Sequence, residues 1–182
     1  MKVTWVISQS VERGLVDADI LNSIAPTWGS WLTREGYKTE NCICIDTNTC
    51  QGLLKQAFHA ICNFYMPNDS YVELGQPQGV KLFDGQFKGE SIANKDDIVA
   101  LNIAVPTADI VLLYGFNLGQ VSHEDPRLGA REAYYFNVAA VIADHPSTQF
   151  VLVDYEYDLD SQFLNAENLT HDTLQSVREL LA

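Results

Sequence analysis

The run Ala108-Asp109-Ile110-Val111-Leu112-Leu113-Tyr114-Gly115 constrains this chain more than any other feature. From Ile110 to Tyr114 no residue offers a polar side to solvent, so a strand here needs cover on both faces, and Gly115 stops it. A strand of that kind belongs to a parallel sheet sandwiched between helices. Lys2 to Ser8 and Phe150 to Asp154 repeat the character, and Cys42-Ile43-Cys44-Ile45-Asp46 reads as the second strand of the chain.

Helical spacing fills the intervals. Asp17 to Ala25 places Ile20, Leu21 and Ile24 on one side and is closed by Pro26. A helix from Thr47 carries Leu53, Leu54, Ala57, Phe58 and Ile61 on one face. Asp96 and Asp97 stand where a helix N-terminus favours acids, ahead of Ile98, Val99, Leu101 and Val105, and Pro106 ends that helix. Ala130 to Asp144 is helical in period, and a last helix is expected from near Thr170 to Leu181. Residues 67–95, rich in glycine with two prolines, read as a loop-rich insertion with one short strand. The expectation is a single domain over 1–182, α/β in class, a three-layer Rossmann-like sandwich with a mainly parallel sheet.

Composition narrows function by exclusion. The 182 residues are 47 % hydrophobic, enough for a sizeable core, and carry 24 acidic against 11 basic residues, a formal net charge of −13. Lys55, Lys81, Lys88, Lys95, Arg127 and Arg131 stand singly, so neither a nucleic acid nor an anionic membrane is an expected partner. The first apolar run ends at Ser8, too short for a signal peptide or a span, which makes the cytoplasm the expected location. Cys42, Cys44, Cys50 and Cys62 form no C-x-x-C pair and have no histidine at zinc spacing, so reduced core thiols and no metal are expected.

In an open parallel sheet, ligands sit at the carboxyl ends of the strands. Four segments qualify: Ser8 to Arg13, Asp46-Thr47, Gly115 to Asp125, and Asp154 to Asp158. No G-x-G-x-x-G or G-x-x-x-x-G-K-[ST] pattern occurs, so neither a dinucleotide cofactor nor a P-loop nucleotide is expected, and no cofactor is assigned. The expected partner is a small molecule. Ser8, Gln9 and Ser10 offer hydrogen bonds to a phosphate or sugar, and Asp46 suits a ribose hydroxyl or a helix cap. Trp28, with Ser30 and Trp31 beside it, has the aromatic surface to stack on a base or to pack on the sheet, and Phe116 and Asn117 follow the central strand. His123, between Ser122 and the acids Glu124 and Asp125, is the candidate acid–base residue. His59, His145 and His171 read as structural, and Asp154, Glu156, Asp158 and Asp160 as an acidic rim.

Asp109 to Leu113 followed by Gly115-Phe116-Asn117 resembles the late Rossmann strand of bacterial sialyltransferases and of the related hydroxymethylpterin diphosphokinases. The resemblance implies binding of a nucleotide-sugar or pterin and transfer of a glycosyl or diphosphate group. Where those families carry a glycine-rich turn after the first strand this chain has Ile7-Ser8-Gln9-Ser10, and Asn117 replaces their acid. Ala108-Asp109-Ile110-Val111 leading to Gly129-Ala130-Arg131-Glu132 is similar to nucleoside deoxyribosyltransferases, which would put Glu132 at the position of the nucleophile that attacks an anomeric carbon. More diffusely, the chain looks like short proteins of phage and environmental sequences. The leading expectation is therefore a domain that binds a nucleotide, nucleoside or nucleotide-sugar at the carboxyl edge, with glycosyl transfer as its chemistry if it is an enzyme. A rival is a non-enzymatic interaction protein, such as a phage accessory factor, anchored by Trp28, Trp31, Tyr65 and Tyr71.

Overall fold

In the computed structural model, residues 1–8, 18–83, 95–119, 128–155 and 158–181 are described, the side chains of residues 18, 35, 36, 95 and 128 excepted. The chain runs β1 (Val3–Ile7), α1 (Ala18–Ile24), β2 (Thr27–Ser30), α2 (Trp31–Tyr37), β3 (Asn41–Ile43), α3 (Thr47–Lys55), β4 (Asn63–Pro67), α4 (Asn68–Glu73) and β5 (Lys81–Phe83). It continues through α5 (Lys95–Ala104), β6 (Ile110–Tyr114), α6 (Leu128–Asp144), β7 (Gln149–Val153), β8 (Leu169–Asp172) and α7 (Leu174–Leu181). The strands make one sheet of order β5-β4-β3-β2-β1-β6-β7-β8, and every neighbouring pair is parallel. This is the expected α/β, Rossmann-like three-layer sandwich.

β6 occupies the centre because its composition permits nothing else. Val111, Leu112, Leu113 and Tyr114 are all buried, and they alternate between two cores. Val111 and Leu113 face α5 and α6, with Val6, Trp28, Ile43, Val99 and Val138 in the same cluster. Leu112 and Tyr114 face α1, α2 and α7, with Trp5, Ile7, Leu21, Tyr37 and Val177. Each such side chain contributes roughly 1.5–3 kcal/mol by leaving water. A third cluster, of Cys42, Cys44, Cys50, Leu53, Phe64 and Met66, extends the second face beneath α3. Among the described residues no helix is long and apolar enough to cross a membrane.

Three elements differ from the sequence expectation. Thr27-Trp28-Gly29-Ser30 is strand β2, so the strand at Cys42 is the third of the chain and not the second. Its turn-like glycine is required by packing: a Cβ on Gly29 would stand 3.0 Å from Thr33 Cβ and Cγ2 and 3.1 Å from the Ile7 carbonyl oxygen. Within 67–95, Pro67 closes strand β4, and helix α4 leads to edge strand β5, so 68–83 adds a β-α-β step to the sheet. Near the C-terminus, Leu169-Thr170-His171-Asp172 is the edge strand β8, and the last helix begins only at Leu174. Edge strands need bury only part of their surface, and β8 is too polar to carry an apolar period, whereas β5 falls where one short strand was expected.

Candidate functional site

Strands β1 to β5 are laid down in one direction from β1, and β6 to β8 in the other. The order reverses between β1 and β6, and α5 makes that reversal by packing back across β1, β2 and β3. Neighbouring connections diverge at such a point, which in open parallel sheets is where ligands bind, at the carboxyl ends of the strands. Gly115 takes the left-handed conformation (φ 73°), which turns the chain away at the end of β6. On the other side, Ser8 prolongs β1 by one ladder bond, its N–H donating to the Tyr114 carbonyl at 2.9 Å.

The first turn of α5 lies beneath this edge. Ser8 Oγ donates to Asp97 Oδ2 at 2.6 Å, with Ser8 and Asp97 both fully buried. A charge-assisted bond of that length stabilises a carboxylate that burial would otherwise expel. Tyr134, from α6, reaches the same place and is 4 % exposed. Its hydroxyl lies near Ser8 and Asp97 but makes no hydrogen bond of ordinary geometry. Burial, and then the Asp97 charge, hold its phenol well above the usual value, with Ser8 acting in the opposite sense, so it is a neutral donor in search of an acceptor. Phe116 is buried against Tyr134, ring centroids 6.4 Å apart and nearly parallel.

Asp96, one residue earlier on α5, sits under the end of β3. The backbone N–H of Ile45 donates to its carboxylate, whereas Asp96 Oδ1 is buried with no hydrogen-bond partner. Desolvation pushes the Asp96 carboxyl up to about 6, the Asp46 charge adds to the shift, and the Ile45 bond opposes it. Buried oxygens that accept hydrogen bonds, together with one buried phenol, are thus gathered beneath the carboxyl ends of β1 to β3.

Other residues singled out in the sequence have structural employment. Ser30 ends β2 and caps α2, accepting from the Thr33 N–H at 3.1 Å. Asp46 is the N-cap of α3: its Oδ1 accepts from Thr49 N at 2.7 Å and Thr49 Oγ1 at 2.6 Å, and these bonds hold its carboxyl below the usual range. Trp28 is buried and packs on Tyr65, 5.1 Å between centroids, while Trp31 packs into the cluster on the opposite face. The two tryptophans therefore wall no common cleft, and Tyr65 and Tyr71 also pack against cores rather than standing free as anchors. Asn117 is exposed beyond the end of β6.

Glu132 is exposed, about 200° around α6 from Tyr134, on the side of the helix that carries the exposed Phe136. Gln9, Ser10 and His123 lie outside the described residues. Of the other histidines, His145 Nδ1 is 2.9 Å from the Val141 carbonyl oxygen, and His171 packs edge-on against Tyr155. Asp154 caps α7 by accepting from the Leu174 N–H, and among the described residues no group of three His, Cys, Asp or Glu side chains is placed to hold a metal.

Sequence reasoning located Ser8 and Phe116 but assigned Asp96 and Asp97 only to a helix terminus and passed over Tyr134. The signal available was faint: paired acids in the first turn of a helix whose later residues are apolar except for Asn102. A search of family models, of curated proteins and of solved structures finds no match to this chain.

Proposed function

We propose that the protein binds a small ligand bearing a nucleoside, free or as part of a nucleotide or nucleotide-sugar, at the carboxyl ends of β1 and β6. The observation that carries the reading is the set of buried, incompletely satisfied oxygens at the reversal of strand order: Tyr134 Oη and Asp96 Oδ1 beside the Ser8–Asp97 pair. Each unpartnered buried polar atom costs roughly 1–3 kcal/mol, a cost that a bound hydroxyl or amino group removes. The unpartnered Asp96 oxygen calls for a donor, which a sugar hydroxyl or base amino group supplies. A phosphate placed there would face both acids and Asp46, so any phosphates of the ligand point outward from the floor.

A thermal-shift panel of nucleosides, nucleotides and nucleotide-sugars tests this. A ligand at about 100 times its Kd stabilises the fold by roughly 2.7 kcal/mol. The expected result is stabilisation by at least one nucleoside-bearing compound, lost in Asp97→Asn, with ribose phosphate alone ineffective. No shift from any member, or a shift that survives Asp97→Asn unchanged, overturns the proposal.

A further inference from the structure

At the opposite, amino end of the sheet a different chemistry is assembled around Arg34 of α2. One guanidinium nitrogen of Arg34 donates to the Thr39 carbonyl, and Nη2 donates to the Ile61 carbonyl at 2.7 Å. Its plane lies over the Phe58 ring at 5.9 Å. Those contacts bracket two cysteines. Cys42, at the start of β3, is fully buried, with Sγ 3.2 Å from Thr39 Oγ1. Cys62, immediately before β4, is half-buried and donates to the Phe58 carbonyl at 3.6 Å. Strand pairing sets Asn41 beside Asn63, Cys62 packs against the apolar cluster that holds Cys42, and both thiols feel the Arg34 charge.

We propose that Cys62 is a peroxide-reactive thiol and that Cys42 resolves its oxidised form as an intramolecular disulfide. The arrangement has the three parts such a site needs: a half-exposed cysteine, a fixed cation beside it, and a second cysteine in the same cluster on the neighbouring strand. Donation from Cys42, helped by Arg34, holds the Cys62 thiol below its ordinary value against partial burial, which raises the fraction present as thiolate. In the first step the Cys62 thiolate attacks a hydroperoxide oxygen, the O–O bond breaks, and the sulfur becomes a sulfenic acid while hydroxide departs. In the second, the Cys42 sulfur attacks the Cys62 sulfur and its hydroxyl leaves as water. Two thiols and one hydrogen peroxide thereby give one disulfide and two waters.

The other close pair, Cys44 and Cys50, serves as the internal contrast. Both are buried, the charged group that acts on Cys44 is the acid Asp96, and Cys50 donates to the Cys44 carbonyl at 3.4 Å. Proximity of two sulfurs is common to the pairs; solvent access and the arginine are not.

The test uses the full chain, reduced and then treated with equimolar hydrogen peroxide, followed by intact-mass and peptide analysis. The expected product is lighter by about 2 Da with Cys42 linked to Cys62. Iodoacetamide should label Cys62 of the reduced native protein at least ~10-fold faster than any other cysteine. Cys42→Ser should stop oxidation at a Cys62 sulfenic acid trapped by dimedone, whereas Cys44→Ala/Cys50→Ala should leave the cross-link unchanged. A cross-link joining Cys44 to Cys50, labelling of Cys62 at the rate of the buried thiols, or absence of a dimedone adduct in Cys42→Ser would each overturn the proposal.

Discussion

Replacing Asp96 with asparagine should stabilise the protein at neutral pH, even though the residue lies in the site. The Asp96 carboxyl is raised from 3.8 to about 6, with desolvation as the largest cause. In the unfolded chain the same group ionises near 3.8, so between these values the folded state holds more protons and stability falls as pH rises. Below about pH 4 both states are protonated and nothing is lost, and above about pH 6 both are ionised and the full penalty stands. At 1.36 kcal/mol per tenfold difference in acidity the penalty is about 3 kcal/mol, an upper bound because Asp96 keeps some contact with water. Asparagine retains an acceptor for the Ile45 N–H but leaves part of its amide unpartnered, at a cost of about 1 kcal/mol.

The net gain expected for Asp96→Asn at pH 7 is therefore about 2 kcal/mol, or roughly 4–8 °C in Tm for a domain of this size. Urea denaturation of both proteins from pH 4 to pH 8 measures it, with the difference in unfolding free energy as the readout, since other titrating groups then cancel. That difference should grow between pH 4 and about 6 and flatten above. A difference independent of pH, or a variant less stable than the parent at pH 7, would refute the claim that a charged carboxylate is desolvated at this position.

Two further perturbations probe the same region. Tyr134→Phe removes a buried hydroxyl whose contact with Ser8 falls short of an ordinary hydrogen bond, so denaturation should find the free protein unchanged or up to ~1 kcal/mol more stable, while titration with the stabilising nucleoside compound should show weaker binding. Asp46→Asn keeps a good N-cap for α3 but removes a negative charge that raises the Asp96 carboxyl; the pH-dependent part of the Asp96 penalty should then end at lower pH, with overall stability at pH 7 preserved or raised.

How far the site was legible follows from which interactions are local. Asp46 as a cap needs only Thr49 three residues on, and Ser30 only Thr33, so both roles are written in adjacent residues. The burial of Asp97 is not, because its partner Ser8 is 89 positions away and meets it only when α5 has crossed the sheet. Tyr134 sits in a helix whose buried side continues through Tyr135, Val138, Val141 and Ile142, and nothing in that pattern says that its ring ends at an acid. Trp28 was equally opaque: aromatic surface beside Gly29 and Ser30 suggests a ligand face, but the flanking strands β1 and β3 convert it into core.

By itself, then, the sequence determined that the sheet is parallel and covered on both faces, because apolar runs such as Ile110–Tyr114 have no other stable environment. Tertiary structure alone decided that the order reverses between β1 and β6, that the segments of β2 and β8 join the sheet, and that Asp96, Asp97, Ser8 and Tyr134 converge. Pairing with an existing strand, and burial beneath it, are supplied by neighbours distant in the chain, and no local pattern encodes them.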